Sequence, residues 1–438
     1  MKVTATPFNR ASELALAIYG KVLDSVRADH LVSDAVQRVG DALFIQGNHI
    51  DLARFDRVWI AGAGKASVSM ATATAEILGE RLSGGLIVTK SGYAAPVRKA
   101  VVIEAAHPVP DQSSLEAGDR LLKFASNLSE RDLVVFVLSG GASALIESLG
   151  GGITLKDLQE VNQWCLSGGL NIGQINHIRS RLSRIKGGGL AEAFRFATVV
   201  VLVLSDVVGN DLQTIGSGPF VIPNSIQKHR DGRQGHRVHY PAQGIFRDEV
   251  LQTILDPKTG LSAFSHAISH YVVGSVSLAI HSAADAAREF GLTPLPYGDP
   301  MKGEARVMAR TICRHAERLG IHNSCMIFGG ETTVTIRGDG LGGRSQEMAV
   351  SAASAISRLP ETCFLAAGTD GSDGPTGAVG GIIDPQSLAR ARQHGITDRK
   401  ALARNDSYHF LEACQGLIVT GPTGSNVNDL ALVVHAPV

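Results

Sequence analysis

The chain has 438 residues, 44% of them hydrophobic, with Lys+Arg and Asp+Glu both at 41 and aromatic residues at 5%. That supports two or three domains with large cores, gives no net field to attract nucleic acid or an anionic membrane, and argues against a platform of rings for stacking bases. The five cysteines (Cys165, Cys313, Cys325, Cys363 and Cys414) lack C-x-x-C spacing. The N-terminus has no apolar signal core, and no apolar run reaches the length of a membrane span, so a cytoplasmic chain with reduced thiols is expected.

Residues 11–29 place Leu14, Ala15, Ile18, Val22 and Val26 on one helical face. Strands and helices then alternate. Strands are predicted at Val58–Ala61, Gly85–Thr89, Val101–Ala105, Val134–Leu138 and Val199–Leu204. Helices are predicted near 66–80, from about Ser113 with the capping box Ser113-x-x-Glu116, near 143–149, and over Leu155–Leu166. Apolar strands alternating with helices imply a parallel, doubly wound sheet.

The stretch 221–260 breaks this pattern, and its basic, His-rich piece Lys228–Tyr240 reads as a solvated connector or an anion-binding loop. The alternation resumes with a strand at Tyr271–Gly274 and helices at Ser277–Phe290 and Glu304–Leu319. Two strands, Cys325–Phe328 and Thr333–Ile336, would form a hairpin around Gly329-Gly330. A helix near Ser345 and strands at Phe364–Ala366 and Leu417–Thr420 complete the reading. The expected fold is α/β, with a Rossmann-like doubly wound domain over 1–225, a connector over 226–265, and a smaller mixed α/β domain over 266–438.

Six apolar runs end in glycine-rich turns that carry polar groups, and ligands of open α/β sheets lie beyond the carboxyl ends of strands. Gly62-Ala63-Gly64-Lys65 opens a helix, where free N–H groups and a lysine suit a phosphate; an ordinary turn with a solvated lysine is the alternative. It is neither a Walker A motif nor a good dinucleotide fingerprint: Ser67 takes the third glycine position, and Lys90 stands where a ribose acid would be wanted. Ser139-Gly140-Gly141-Ala142-Ser143 reads as a phosphate cradle or a capped helix start. Asp206 could accept a proton or meet Mg²⁺, whereas Asp211 reads as a turn residue. Asp370 and Asp373, in a glycine-rich loop, suit a hard cation or Asx turns. Arg344 precedes a helix and could grip an anion. Glu331, Asn426, Asn428 and Asp429 are either ligands or turn chemistry, and His107 reads as a turn histidine.

The strings AGAGKAS, HPVPD, LSGGASAL, INHIRSRLSRIKGGGLA, SDVVGNDLQTIGSGP, GGETTVT, GGRSQE, GTDGSDGPTGAVGG, NDSY and TGPTGSNVND occur in that order. Together they resemble the class II glycerate kinases, whose C-terminal part is the MOFRL domain. The resemblance runs from about residue 10 to the C-terminus and weakens across 221–260, where Pro219 is followed by FVIPNSIQKHRDGRQGH in place of the family's usual helix-opening Asp-x-Thr-Thr-like segment.

The resemblance implies ATP- and Mg²⁺-dependent phosphorylation of D-glycerate to 2-phosphoglycerate in an interdomain cleft. It assigns catalysis to Lys65, Asp206 and Arg344 and phosphate binding to the Ser139–Ser143 turn. Gly62 and Gly64 join Ser139, Gly140, Gly141 and Ser143 as expected nucleotide contacts, and Asp370 and Asp373 are expected metal ligands. Glycerate and ATP are the expected small-molecule partners, with no nucleic acid or membrane partner and a homodimer left open. The alternative function is an NAD(P)-dependent hydroxypyruvate or tartronate-semialdehyde reductase.

Overall fold

The computed structural model describes residues 3–221, 241–256, 268–320 and 322–437. These form two compact units, Val32–Val273 on the one hand and Met1–Leu31 with Gly274–Val438 on the other. The expected division at 1–225, 226–265 and 266–438 therefore differs at the N-terminus, whose first helix groups with the C-terminal part.

In the Val32–Val273 unit, a small antiparallel sheet (Val36–Val39, Ala42–Ile45, Asn48–Asp51), unseen in the sequence, precedes the main sheet. The main strands are β1 (Arg57–Ala63), β2 (Leu82–Lys90), β3 (Ala100–Ala105), β4 (Asp132–Ser139), β5 (Thr198–Leu204) and β6 (Ile268–Gly274). Their order is β3-β2-β1-β4-β5-β6, and every pairing from β3 to β5 is parallel. All eight residues of β4 are buried, as a strand covered on both faces requires. The chain runs outward from β1 to β2 and β3 on one side, and through β4 to β5 on the other. The order thus reverses between β1 and β4, where open α/β sheets leave a crevice for ligands.

The helix Gln112–Ala125 is capped by Asp111 with Ser114, not by the expected Ser113/Glu116 pair. The predicted helix near 143–149 is only Ala142–Leu145. Helices Leu155–Ser167, Ile172–Leu182 and Asp248–Leu255 close a separate core around Leu158, Val161, Cys165, Ile178, Val250 and Ile254. Part of the expected connector is therefore helical; its basic piece Lys228–Tyr240 lies outside the described residues. Asp157 ties this group together. It completes the Thr154 capping box and takes a two-pronged ion pair from Arg247, with Nε–Oδ1 at 3.0 Å and Nη2–Oδ2 at 2.6 Å.

In the other unit, the helix Arg10–Ser25 buries Ala11, Ala15, Ile18, Tyr19, Val22 and Leu23 against the sheet and the helix Val276–Glu289. The Tyr19 hydroxyl donates to Gly368 O at 2.5 Å. The strands are β7 (Thr293–Pro296), β8 (Ser324–Gly330), β9 (Thr362–Gly368), β10 (Gly380–Ile383), β11 (Leu417–Ile418) and β12 (Asp429–His435), ordered β7-β8-β12-β9-β10-β11. The sheet is mixed, as expected, but the expected hairpin around Gly329-Gly330 does not make it so; β9 and β10 pair antiparallel instead. Thr333–Ile336 forms no strand, and the antiparallel member between β8 and β9 is β12, whose apolar run Leu430–Val434 is fully buried. Register sets Asp429 opposite both Gly330 and Gly368, so a carboxylate opens the central strand where its two neighbours end.

All five cysteines are buried and free. Burial pushes the Cys325 thiol up to about 12, and Cys313, where Glu317 adds to burial, also up to about 12, so these are inert core groups. Among the described residues, no helix is long and apolar enough to cross a membrane.

Candidate active-site clusters

The Lys65 turn is built by backbone contact. Ala63 pairs with Leu138, so the turns after β1 and β4 leave the sheet side by side. Gly64 has φ +139°, and a Cβ there would lie 2.1 Å from Ser139 Oγ and 2.6 Å from Ser139 O. Gly62 is equally restricted: its Cβ would lie 2.3 Å from a Val137 methyl. No side chain larger than hydrogen fits at either position. The N–H groups of Gly64, Lys65 and Ala66 donate to Val88 O (3.2 Å), Gly140 O (2.9 Å) and Ser139 Oγ (3.0 Å). Ser67 Oγ donates to Gly64 O and Val88 O.

Gly64 N is thus spent on Val88 O, and Ser139 Oγ accepts the bond that joins the two turns. The second turn is different. Gly141 is left-handed (φ +87°), and among the described residues no protein acceptor takes the N–H groups of Gly141, Ala142 and Ser143. A left-handed residue followed by right-handed ones makes a nest of N–H groups suited to an anion.

The Lys65 side chain lies over this nest, since a Cβ on Gly141 would be 3.3 Å from Lys65 Cγ and 3.0 Å from the His107 ring. Ser143 Oγ is fixed by Ser217 Oγ at 2.8 Å. Ser139 pairs with Leu204, so half-buried Asp206 leaves β5 beside Gly140. Lys65, Asp206 and the Gly140–Ser143 turn thus come together at the ends of three adjacent strands. Asp211 accepts from Gln213 N and Thr214 Oγ1, as a turn residue should.

A pocket of about 200 Å³ opens next to the nest, lined by His107, Gly141, Ser143, Asn162, Arg179 and Lys186 among others. Lys186 is fully buried and ion-paired with Glu147, which also accepts from Ser183 Oγ and from Ser148 N at 3.0 Å. The sequence reading quoted the string that holds Arg179 and Lys186 but gave neither a role. The pairing spans 39 residues and leaves no local pattern.

In the other unit the central group is Arg344, the first residue of the helix Arg344–Ile356. It clasps Asp429 with Nε–Oδ2 at 2.6 Å and Nη2–Oδ1 at 3.0 Å, and its Nη1 pairs with Glu331. Burial opposes the Arg344 charge, but the Asp429 carboxylate outweighs it and holds the pKa above its ordinary value. The Arg344 side chain remains 35% exposed while that of Asp429 is 5%, so the arginine faces outward from a buried anchor.

Asp373 accepts from Gln346 N at 2.8 Å and Ser345 N at 3.3 Å, capping the helix that Arg344 begins. It is buried, and burial with neighbouring Asp429 pushes its carboxyl up to about 7 against the pull of those N–H groups. Asp370 accepts from Ser372 N at 3.1 Å, an Asx turn. No group of three potential metal ligands occurs among the described residues. Asp373 spends both oxygens on N–H groups at a helix start, and Asp370 closes a turn. The buried Asn428 Nδ2, which has no partner among the described residues, sits next to Asp429 in the chain and is a donor, unsuited to a cation.

Cation-bearing turns at the strand ends of an α/β sheet describe an enzyme that handles small anions. Residues 14–237 match a family model described as "Domain of unknown function (DUF4147)", and residues 324–429 match the MOFRL family. The D-glycerate 2-kinase of Thermotoga maritima is 34% identical over 427 residues, covering 96% of this chain and 97% of that protein. A crystal structure of glycerate kinase from the same organism superposes with a TM-score of 0.79 at 33% identity, covering 97% of this chain and 99% of that one. An Agrobacterium vitis protein, 38% identical over 389 residues and matched over 86% of this chain and 99% of its own, carries a provisional hydroxypyruvate reductase name. The chain belongs to the class II glycerate kinase family with a C-terminal MOFRL domain.

Proposed function

We propose that this chain is a glycerate kinase that moves the γ-phosphoryl group of ATP to D-glycerate and releases ADP and 2-phosphoglycerate. The observation that carries the reading is Lys65 over the open N–H nest of Gly141–Ser143, at the switch point of the parallel sheet. Phosphoryl transfer depends chiefly on positioning and on neutralising charge. The reading gives Lys65 and Arg344 the second task, with Asp206 orienting the attacking hydroxyl or taking its proton as the oxygen–phosphorus bond forms. Arg344 is suited to its part because Asp429 and Glu331 fix its plane and leave guanidinium N–H groups over. The nest is the phosphate contact of choice.

Mg²⁺ arrives with ATP in this reading, since that ion commonly keeps several waters and binds through substrate phosphates. No step is routed through it. The five free thiols agree with work in the cytoplasm.

The test is incubation with D-glycerate, ATP and Mg²⁺, with ADP followed by a coupled assay and the product identified by ³¹P NMR. ADP together with 2-phosphoglycerate is expected; ADP with the 3-phosphate would revise the hydroxyl, and absence of ADP would refute the kinase. Among the described residues, no feature favours the reductase. Lys90, at the ribose position, lies over the Tyr93 ring at 5.2 Å, and Ser67 is buried in the turn. Loss of absorbance at 340 nm with hydroxypyruvate and reduced nucleotide would revive it.

A further inference from the structure

The pocket beside Lys65 contains three cationic or potentially cationic side chains, and they differ in how far their charge is answered. The Lys186 ammonium is matched by Glu147. Arg179, half-buried on the helix Ile172–Leu182, donates from Nε to the neutral Oδ1 of Asn162 at 2.6 Å, its one hydrogen bond among the described residues. Among the described residues no carboxylate pairs with it, and both of its Nη groups are left over on a residue that lines the pocket. Desolvation lowers its pKa from the usual arginine value, with Cys165 and Glu147 giving only partial relief. A half-buried guanidinium with its fork unanswered by a carboxylate suits an incoming anion.

Which anion follows from the rest of the lining. Glu147 is a wall of the same pocket, so a phosphate dianion would meet an opposing carboxylate, whereas a monoanion meets a net charge of matching size. The planar fork also fits a carboxylate with two parallel bonds. Asn162 and Ser143 offer partners to neutral hydroxyls, and Lys65 leans over Gly141 at the rim.

Resting on the kinase reading, we propose that Arg179, held in plane by Asn162, grips the carboxylate of the three-carbon hydroxy acid and turns its adjacent hydroxyl toward Lys65. The pocket is thereby selective for acids over the corresponding polyols.

The experiment compares wild type with Arg179→Gln and Arg179→Lys in steady-state kinetics and in thermal shift with D-glycerate alone or glycerol alone. In Arg179→Gln the KM for glycerate should rise ~30-fold or more, and the KM for ATP should stay within ~3-fold, since uniform binding is lost for one substrate only. Arg179→Lys should recover part of the loss. Glycerate but not glycerol should raise the wild-type midpoint, and Arg179→Gln should abolish that rise while keeping the ligand-free midpoint. An unchanged glycerate KM, a rise in the ATP KM instead, or glycerate stabilisation equal in the variant and the wild type would each overturn the proposal. If wild type binds glycerate in the thermal assay but turns over no ATP, the kinase reading falls and the carboxylate site stands.

Discussion

The two sheets end in cationic turns built by opposite means. After β1 and β4, backbone contact fixes Lys65: two glycines without room for a Cβ, and N–H groups bonded across the turns. At the start of β12, side-chain charge fixes Arg344: Asp429 bidentate, Glu331 alongside, and Asp373 capping the helix beneath. The first arrangement should be intolerant of any added atom and indifferent to pH. The second should tolerate shape changes better and respond to whichever carboxylate is removed or protonated.

The sharpest way to break this contrast is Gly64→Ala. A methyl group 2.1 Å from Ser139 Oγ at a φ of +139° combines overpacking with backbone strain. Together these should cost about 3–5 kcal/mol of stability, read as a lower denaturation midpoint with activity lost in step. A midpoint within error of wild type would show that the turn is not backbone-built. Next in size is Arg344→Ala, which leaves Asp429 buried without its partner. A loss of about 3 kcal/mol is expected, together with a kcat decrease of ~10²-fold or more. Arg344→Lys should restore part of the stability by keeping a cation beside Asp429, and little of the rate, because an ammonium lacks the planar fork that Asp429 orients.

How much of this was legible in the sequence follows the same division. The backbone-built half was readable: continuous apolar runs marked β1, β4 and β5 as buried strands, and glycines at their ends marked the turns. Which donors remain open was not readable: N–H groups without a protein acceptor among the described residues belong to Gly141–Ser143, whereas Gly64 N is bonded, and a cross-turn bond such as Ala66 N to Ser139 Oγ joins residues 73 apart.

The charge-built half was far less legible. Arg344 finds Asp429 across 85 residues, and Asp373 caps a helix 27 residues earlier in the chain. A carboxylate in a glycine-rich loop looks the same whether it will cap, turn or coordinate. The strand β12 was missed although its apolar run is plain, because the preceding polar loop drew the reading to turn chemistry. The N-terminal helix was visible as an amphipathic face, but nothing local says which sheet an apolar face will cover. At the helix Gln112–Ala125, Asp and Ser are near-equal caps, so the Ser113 motif could not exclude Asp111.

A variant that separates rate from stability comes third. Lys65→Ala removes a half-buried charge without touching the N–H groups of its own backbone. The kcat should fall ~10²–10³-fold while stability stays within about 0.5 kcal/mol. Chemical denaturation alongside single-turnover kinetics checks both halves. A large stability loss with a modest rate loss would make Lys65 a structural residue and remove it from the proposed transfer step.

The last effect expected is the pH dependence that Asp373 imposes. Its carboxyl titrates at about 7 in the fold and near the ordinary ~3.9 when the chain is unfolded. Between those values the folded chain holds the extra proton, so stability falls as pH rises from about 4 to 7 and then levels off. Asp373→Asn keeps an acceptor for the N–H groups of Ser345 and Gln346 but cannot ionise. In that variant the fall in stability between about pH 4 and 7 should disappear. Arg344 supplies the cross-check. Its charge opposes the upward shift of Asp373, so in Arg344→Gln the decline should extend to higher pH. If the slope of the wild-type curve survives in Asp373→Asn, another group carries it, and the cap beneath Arg344 is held by a permanently ionised carboxylate.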